Sequence, residues 1–172
     1  TKPNVVLYPA DDFNDINNDC GTTISDGKVG HFLGFNSTIE VDGTKTSGSR
    51  ISCPMSSISQ SYTRALIIQS SSQITFEGIE FIHAGIEIKD SSSKLILKRV
   101  VFSKMKGLSS VGGDNYGSAL NIHTNSIVDI HSVSIMVSSS KYGGALSIRG
   151  SSTLNICGLS LFNNHASVSG GE

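Results

Sequence analysis

The sequence predicts an all-β fold of the parallel β-solenoid kind, with about five rungs of three short strands each. Three observations carry that expectation. The first is an internal repeat. The stretch Ala65-Leu66-Ile67-Ile68, Ile74-Thr75-Phe76, Ile79-Glu80-Phe81 recurs as Gly85-Ile86-Glu87-Ile88, Leu95-Ile96-Leu97, Val100-Val101-Phe102. It recurs again as Ala119-Leu120-Asn121-Ile122, Val128-Asp129-Ile130, Val133-Ser134-Ile135, and then as Ala145-Leu146-Ser147-Ile148, Leu154-Asn155-Ile156, Leu159-Ser160-Leu161. The second is the period within each copy: apolar residues return at every second position, as in a strand, and no window sustains a 3.6-residue period with helix caps. The third is a serine at a fixed place, Ser72, Ser93, Ser126 and Ser152, two residues before the second strand of its copy.

Strand alternation fixes the faces. Leu66/Ile68, Ile74/Phe76 and Ile79/Phe81 point inward because those positions are apolar in every copy, which sends Ile67, Thr75 and Glu80 outward. Three strands of three or four residues joined by short turns predict a triangular cross-section. Neighbouring rungs would stack about 4.8 Å apart through backbone hydrogen bonds.

Along the chain, residues 1–172 read as a single domain. Residues 1–30 read as an irregular N-terminal segment, with Val5-Val6-Leu7-Tyr8 a strand and Asp11 to Gly21 a loop of turn formers. Rungs occupy 31–172 and start near Leu33, Leu66, Ile86, Leu120 and Leu146. The first is read as Leu33-Gly34-Phe35 and Ile39-Glu40-Val41, with Ser37 in the serine slot, a loop from Gly43 to Arg50, and Ile51-Ser52-Cys53. From Leu66 to Ile86 is 20 residues, from Ile86 to Leu120 is 34, and from Leu120 to Leu146 is 26. The excess falls in Ser103 to Ser118 and around Ser138 to Gly144, so insertions are expected at one corner, between the third strand of one copy and the first of the next.

Composition narrows the classes. With Lys+Arg 13 against Asp+Glu 14 there is no basic stripe to suit a nucleic-acid backbone. Only 16% of residues are charged, which in a Ser/Gly-rich chain would suggest disorder without the strict apolar alternation. No apolar stretch approaches the roughly 18 residues of a membrane span, and Leu95 to Phe102 is interrupted by Lys98 and Arg99. No charged-then-apolar signal segment opens the sequence, so a secreted protein would be present in mature form. The cysteines are Cys20, Cys53 and Cys157. Cys20 and Cys53 lie outside the regular repeats, where core is scarcest, and are the expected disulfide, stabilising by about 3–4 kcal/mol on a chain-entropy argument. The alternative is three buried thiols.

Gly143-Gly144-Ala145-Leu146 and Phe162-Asn163-Asn164-His165 resemble the G-G-A-[ILV] and F-x-x-N repeats of polymorphic outer-membrane proteins, which are chlamydial surface adhesins. Gly117-Ser118-Ala119-Leu120 is a further, weaker copy, and Gly170-Gly171-Glu172 looks like the start of another. The fourth residue of the second motif is His165 rather than Asn, with Asn164 adjacent. The wider pattern, over roughly residues 30–172, resembles right-handed single-stranded parallel β-helices of the pectate-lyase-like superfamily, including repeat-rich surface proteins of protists. That resemblance implies architecture far more than activity, because the same coil hosts lyases, hydrolases, adhesins and rods.

Enzymes of that superfamily need clustered carboxylates. Between Ala119 and His165 the charged residues are Asp129, Lys141 and Arg149, so no acid pair is available there. Asp11-Asp12 matches the polygalacturonase aspartates only as a dipeptide. No catalytic residue and no cofactor is expected. Asp15, Asn17, Asp19 and Asp26 are spaced like calcium ligands, but Cys20 stands where that loop needs glycine and helical flanks are missing, which favours a polar turn. Alignment of the copies puts His131 beneath Cys157 in a column with Lys98 and Glu77, read as turn neighbours rather than as a nucleophile and its base. A second, weakly cationic column holds Gln69, Lys89, His123 and Arg149, with a solvated face as the default reading and an anionic glycan as the functional one. Asn36-Ser37-Thr38 is an N-glycosylation acceptor on a eukaryotic secretory route. Ice binding would need a ladder of one residue type; the outward sets Thr75, Ile96, Asp129, Asn155 and Ile67, Glu87, Asn121, Ser147 provide none.

The expectation is therefore a non-enzymatic extracellular or cell-surface protein, structural or adhesive, that stacks head to tail into a fibre or forms part of a stalk. Val5 and Leu7 would lie at one stacking end, and Phe162, Gly170 and Gly171 at the other. A second copy of the chain is the expected partner, with glycans or a host or matrix surface as further candidates. The competing class is a carbohydrate-binding or carbohydrate-cleaving domain, for which Tyr116 and Tyr142 in the two inserted loops are the candidate sugar contacts.

Overall fold

The computed structural model describes residues 6–9, 22–34, 38–41, 44–47, 49–52, 64–90, 92–105 and 117–169. Among these the chain is all-β, with strands β1 (Val6–Pro9), β2 (Thr22–Ile24), β3 (Val29–Leu33), β4 (Thr38–Val41), β5 (Thr44–Ser47) and β6 (Ser49–Ser52). Next come β7 (Arg64–Ile68), β8 (Gln73–Glu77), β9 (Ile79–Ile82), β10 (Gly85–Ile88), β11 (Lys94–Lys98) and β12 (Val101–Ser103). The remainder are β13 (Leu120–Ile122), β14 (Ile127–Met136), β15 (Ser139–Tyr142), β16 (Leu146–Ile148), β17 (Thr153–Phe162) and β18 (His165–Ser169). No helix occurs among the described residues.

The sequence repeat is also a pairing rule. First strands pair with first strands, in the parallel order β16-β13-β10-β7-β2. Leu66 faces Ile86, Ile86 faces Leu120, and Leu120 faces Leu146. Second strands do the same, with Phe76 opposite Leu97, Leu97 opposite Ile130, and Ile130 opposite Ile156. Third strands follow: Phe81 opposite Phe102, Phe102 opposite Ile135, and Ile135 opposite Leu161. β14 and β17 are long because each carries the second and third strands of its copy, which joins both sets into one nine-stranded sheet. Among the described strands only β4 and β5 pair antiparallel, as a hairpin.

Each copy turns at residues in the left-handed region. Between second and third strands these are Gly78 (φ 66°), Arg99 (φ 51°), Ser132 (φ 55°) and Gly158 (φ 87°). After the third strand they are His83 (φ 54°), Lys104 (φ 54°), Val137 (φ 52°) and Asn163 (φ 53°). Between first and second strands Ser70, Ser71, Asp90, Ser92, Asn125 and Gly150 serve, all with φ between 57° and 71°. Neighbouring corners bond to one another: Gly78 N donates to Lys98 O at 3.0 Å, and Val137 N to Phe162 O at 2.9 Å. The turn is thus made by backbone geometry that repeats, while the side chain at each corner is free to vary.

The inward positions form the core. Ile68, Phe76, Phe81, Ile86, Leu95, Leu97, Phe102, Ile122, Val128, Ile130 and Ile135 are fully buried. Phe32 stacks on Phe76 (centroids 4.9 Å), Phe76 meets Phe81 edge-on (5.2 Å), and Phe81 stacks on Phe102 (5.0 Å). Burying such a side chain is worth about 1.5–3 kcal/mol each, so a few copies supply the core that three-residue strands lack singly.

In the last two copies the recurring serine closes its turn. Ser72, Ser93 and Ser126 are fully buried. Ser126 Oγ donates to the carbonyl of His123 and Ser152 Oγ to that of Arg149 (3.0 Å), each three residues back. A hydroxyl is small enough to point inward and still give a turn carbonyl its donor.

The N-terminal part differs from expectation. The strands in register with β7 and β8 are β2 and β3, with Ile24 opposite Ile68 and Phe32 opposite Phe76. Residues 22–33 therefore belong to the repeat, and the segment expected to be irregular up to residue 30 contains two of its strands. Leu33-Gly34-Phe35 is not the first strand: Leu33 closes β3. Ile39-Glu40-Val41 lies in the β4–β5 hairpin, inserted between β3 and β6, while Ile51 pairs with Phe81 as expected. The serine slot opposite Ser72 falls to Lys28, whose carbonyl accepts from Gln73 N at 2.8 Å; Ser37 lies outside the described residues. The alternation was hidden because Thr22 and Gly30 stand in register with Leu66 and Ile74 without being large apolar residues. At Gly30 a Cβ would lie 3.2 Å from Ile74 Cδ1 and 3.3 Å from Phe32 Cε2, so the large neighbours fill that space instead. Insertion is consequently not confined to one corner. The insertion around Ser138 to Gly144 is itself ordered into β15, which pairs with β18.

Candidate functional site

Parallel stacking turns outward residues into columns, and one column is chemically dense. Glu87 and Asn121 are register partners on β10 and β13. Two residues on, just past the end of each strand, stand Lys89 and His123, and just past β16 stands Arg149. Backbone bonds fix the column: Lys89 N donates to Ile68 O (2.8 Å), His123 N to Ile88 O (2.9 Å) and Arg149 N to Ile122 O (2.8 Å). Gln69 continues it, its N donating to Ile24 O at 2.9 Å.

Glu87 is the hub. Its Oε1 lies 2.8 Å from His123 Nε2 and accepts from Asn121 Nδ2 at 3.1 Å, while Oε2 pairs with Lys89 Nζ at 3.3 Å. Arg149 Nη2 lies 3.1 Å from His123 Nδ1 and 2.7 Å from Nε2, and donates to Asn121 Oδ1 at 3.3 Å. Arginine has only donors, and the Glu87 carboxylate has only acceptors. A neutral imidazole has one N–H and one lone pair: with hydrogen on Nε2 it donates to Glu87 and leaves Nδ1 to accept at 3.1 Å, but the closer 2.7 Å approach of Arg149 to Nε2 then has no acceptor. Burial first, and the Arg149 charge second, hold the His123 imidazole below the ordinary histidine range, against the opposing pull of Glu87.

A smaller cluster lies on the second-strand face. Lys94 Nζ pairs with Asp129 Oδ2 at 2.7 Å, and Asn155 Nδ2 donates to Asp129 Oδ1 at 2.8 Å; these bonds hold the Asp129 carboxyl below its usual range. At the next corner Glu77 pairs with Arg99 (2.6 Å) and His31 (3.4 Å).

The structure places the expected site residues unevenly. Glu77, Lys98, His131 and Cys157 do form one register column, and Cys157 is an exposed free thiol. Cys20 and Cys53, expected as a disulfide, lie outside the described residues, as do Asn36, Tyr116, Asp15, Asn17, Asp19, Val5, Gly170 and Gly171. Asp26 sits in an exposed turn at φ 64° and accepts from Ser25 Oγ at 3.1 Å. Among the described residues no group of three or more His, Cys, Asp or Glu is placed to hold a metal ion. Tyr142 is half-buried with Lys141 Nζ 5.0 Å from its ring centre. Leu7 lies in β1, opposite His31, and Phe162 ends β17, 55% exposed.

Sequence reasoning found the Lys89, His123 and Arg149 column but missed Glu87 and Asn121 as its members. Their signal was present: Glu87/Lys89 and Asn121/His123 are i, i+2 pairs on stacked strands. No protein-family model matches the chain, and neither the curated proteins nor the solved structures give a match.

Proposed function

We infer that the chain is a right-handed single-stranded parallel β-helix, a solenoid of about five rungs with three strands per rung, whose role is structural or adhesive at a cell surface or outside the cell. Three things support this reading: copy-to-copy registers, left-handed corners repeated in each copy, and the Gly-Gly-Ala-Leu and Phe-x-x-Asn-like motifs shared with surface adhesins. Working by assembly, it adds copies head to tail, or serves as a length of stalk.

One observation carries the assembly. The inward columns are buried through three copies and open at the fourth. Ile148 follows Ile122 and is 42% exposed, Ile156 follows Ile130 and is 52% exposed, and Leu161 follows Ile135 and is 40% exposed. Open parallel edges with apolar inward residues invite another strand layer of the same pattern. A further copy of the repeat supplies one, and where a second chain provides it the contact does not close and propagates, because the two faces differ. Electron microscopy and sedimentation of the parent and Ile156→Asp test this. Long regular filaments abolished by the substitution are the expected result, and monodisperse parent monomers at all accessible concentrations would overturn it.

A further inference from the structure

We propose that His123 is an acid-sensitive joint between successive repeats: on taking up a proton it tightens on the β10 repeat and loosens the β16 repeat at the open end. The joint belongs to the single chain; only its consequence for filaments rests on the assembly described above.

Three repeats meet at this ring. Glu87 comes from β10, His123 follows β13 and Arg149 follows β16. Glu87 Oε1 lies 2.8 Å from Nε2, while Arg149 Nη2 lies 2.7 Å from Nε2 and 3.1 Å from Nδ1. Whichever nitrogen holds the hydrogen of a neutral ring, the other has a lone pair for Arg149. A protonated ring has N–H at both positions, and a guanidinium offers only donors. Protonation therefore removes the bond from the ring to the β16 repeat and sets two positive charges side by side. On the opposite side the Glu87 carboxylate gains a charge-assisted bond from the same ring. Arg149 keeps its other contacts, among them Asn121 Oδ1 (3.3 Å) and the backbone bond to Ile122 O (2.8 Å). The repeat is loosened, not detached.

The charged groups facing the ring are Glu87 and Lys89 from the β10 repeat and Arg149 from the β16 repeat, with neutral Asn121 on its own strand. Burial first and Arg149 second oppose the charged ring, Lys89 adds to them, and Glu87 favours it; the imidazole lies below the ordinary histidine range. The coupling is reciprocal: a guanidinium that discourages the proton is held less tightly once the proton is bound. A ring freed from Arg149 takes up the proton more readily, so the loosening is absent above the ordinary pKa of 6.5 and sets in as pH falls below it. Ile148, the residue before Arg149, is already 42% exposed at the open edge. Acid thus acts where a further repeat would add.

Hydrogen exchange tests the joint, read as protection factors so that the intrinsic effect of pH cancels. Between about pH 7.5 and about pH 5 the amides of β16 and Arg149 are expected to lose about tenfold in protection relative to those of β10 in the parent. His123→Gln, whose amide can donate to Glu87 and accept from Arg149 at any pH, should hold that ratio constant. Glu87→Gln removes the group that favours the charged ring and should move the loss to lower pH, a displacement a merely structural contact would not give. Equal loss in both segments, or a loss that persists in His123→Gln, overturns the proposal. Sedimentation of the same samples reports assembly separately: a loss confined to β16 and Arg149 in a chain that forms no filaments upholds the joint and sinks the stacking.

Discussion

Gly144 lies against the backbone of His165: a Cβ placed on Gly144 would come within 2.7 Å of the His165 carbonyl carbon and oxygen and 2.9 Å of its nitrogen. Real Cβ atoms do not approach backbone so closely, and backbone yields less readily than a side-chain tip. Gly143, just before it, holds φ 58°. The Gly-Gly pair thus serves two separate needs, a left-handed turn and a close approach. Gly144→Ala should destabilise by about 1–3 kcal/mol, read as a lower urea midpoint, since it forces β15 and β18 apart.

Val137 is the opposite case. It is β-branched, sits at φ 52° and is 55% exposed, so it carries left-handed strain with little packing in return. The next copy places Asn163 at the same corner with φ 53°. Val137→Asn should therefore stabilise by about 1 kcal/mol, seen as a higher thermal midpoint.

The four contacting rings, Phe32, Phe76, Phe81 and Phe102, predict a graded core. Phe81 touches Phe76 and Phe102, and is fully buried. Phe81→Ala should cost about 3–5 kcal/mol in chemical denaturation, whereas Phe162→Ala, at a residue 55% exposed, should cost far less or raise solubility.

His123 gives stability a pH dependence of defined sign. Its folded-state pKa is depressed below the ordinary value, so the unfolded chain takes up the proton first. The contribution is fully present above the unfolded pKa, near 6.5. It declines as pH falls from there toward the lower folded value. Comparison of urea midpoints at about pH 7.5 and about pH 5 should show a larger acid loss in the parent than in His123→Gln.

Much of this architecture was legible because the inward positions are apolar in four successive copies, from Leu66 to Leu161. The same logic failed at Thr22 and Gly30, which stand in register with Leu66 and Ile74 but are not large apolar residues, and so β2 and β3 went unread. The serine column was visible as a pattern, but its reason was not: only the turn shows Ser126 and Ser152 serving carbonyls three residues back. The same holds for Asn164. The F-x-x-N resemblance pointed to position 165, yet it is Asn164 that is buried, accepting from Ser138 N at 3.2 Å and donating to Ile135 O at 3.0 Å. For the polar column, sequence spacing gave the stacking order. The reach of Arg149 back over His123 is a rotamer choice that no spacing encodes.

The left-handed corners have one more consequence. Among the described residues each copy turns on its own backbone and pairs with the copies before and after it, so the pairing pattern itself does not limit how many copies follow one another. A gene could lose or duplicate the stretch from Gly117 to Tyr142 and the register of the flanking copies would be kept, provided the new neighbours kept their inward apolar pairs. A chain with such pairing can be lengthened by whole copies, as a ruler is extended, without changing the register of those already present.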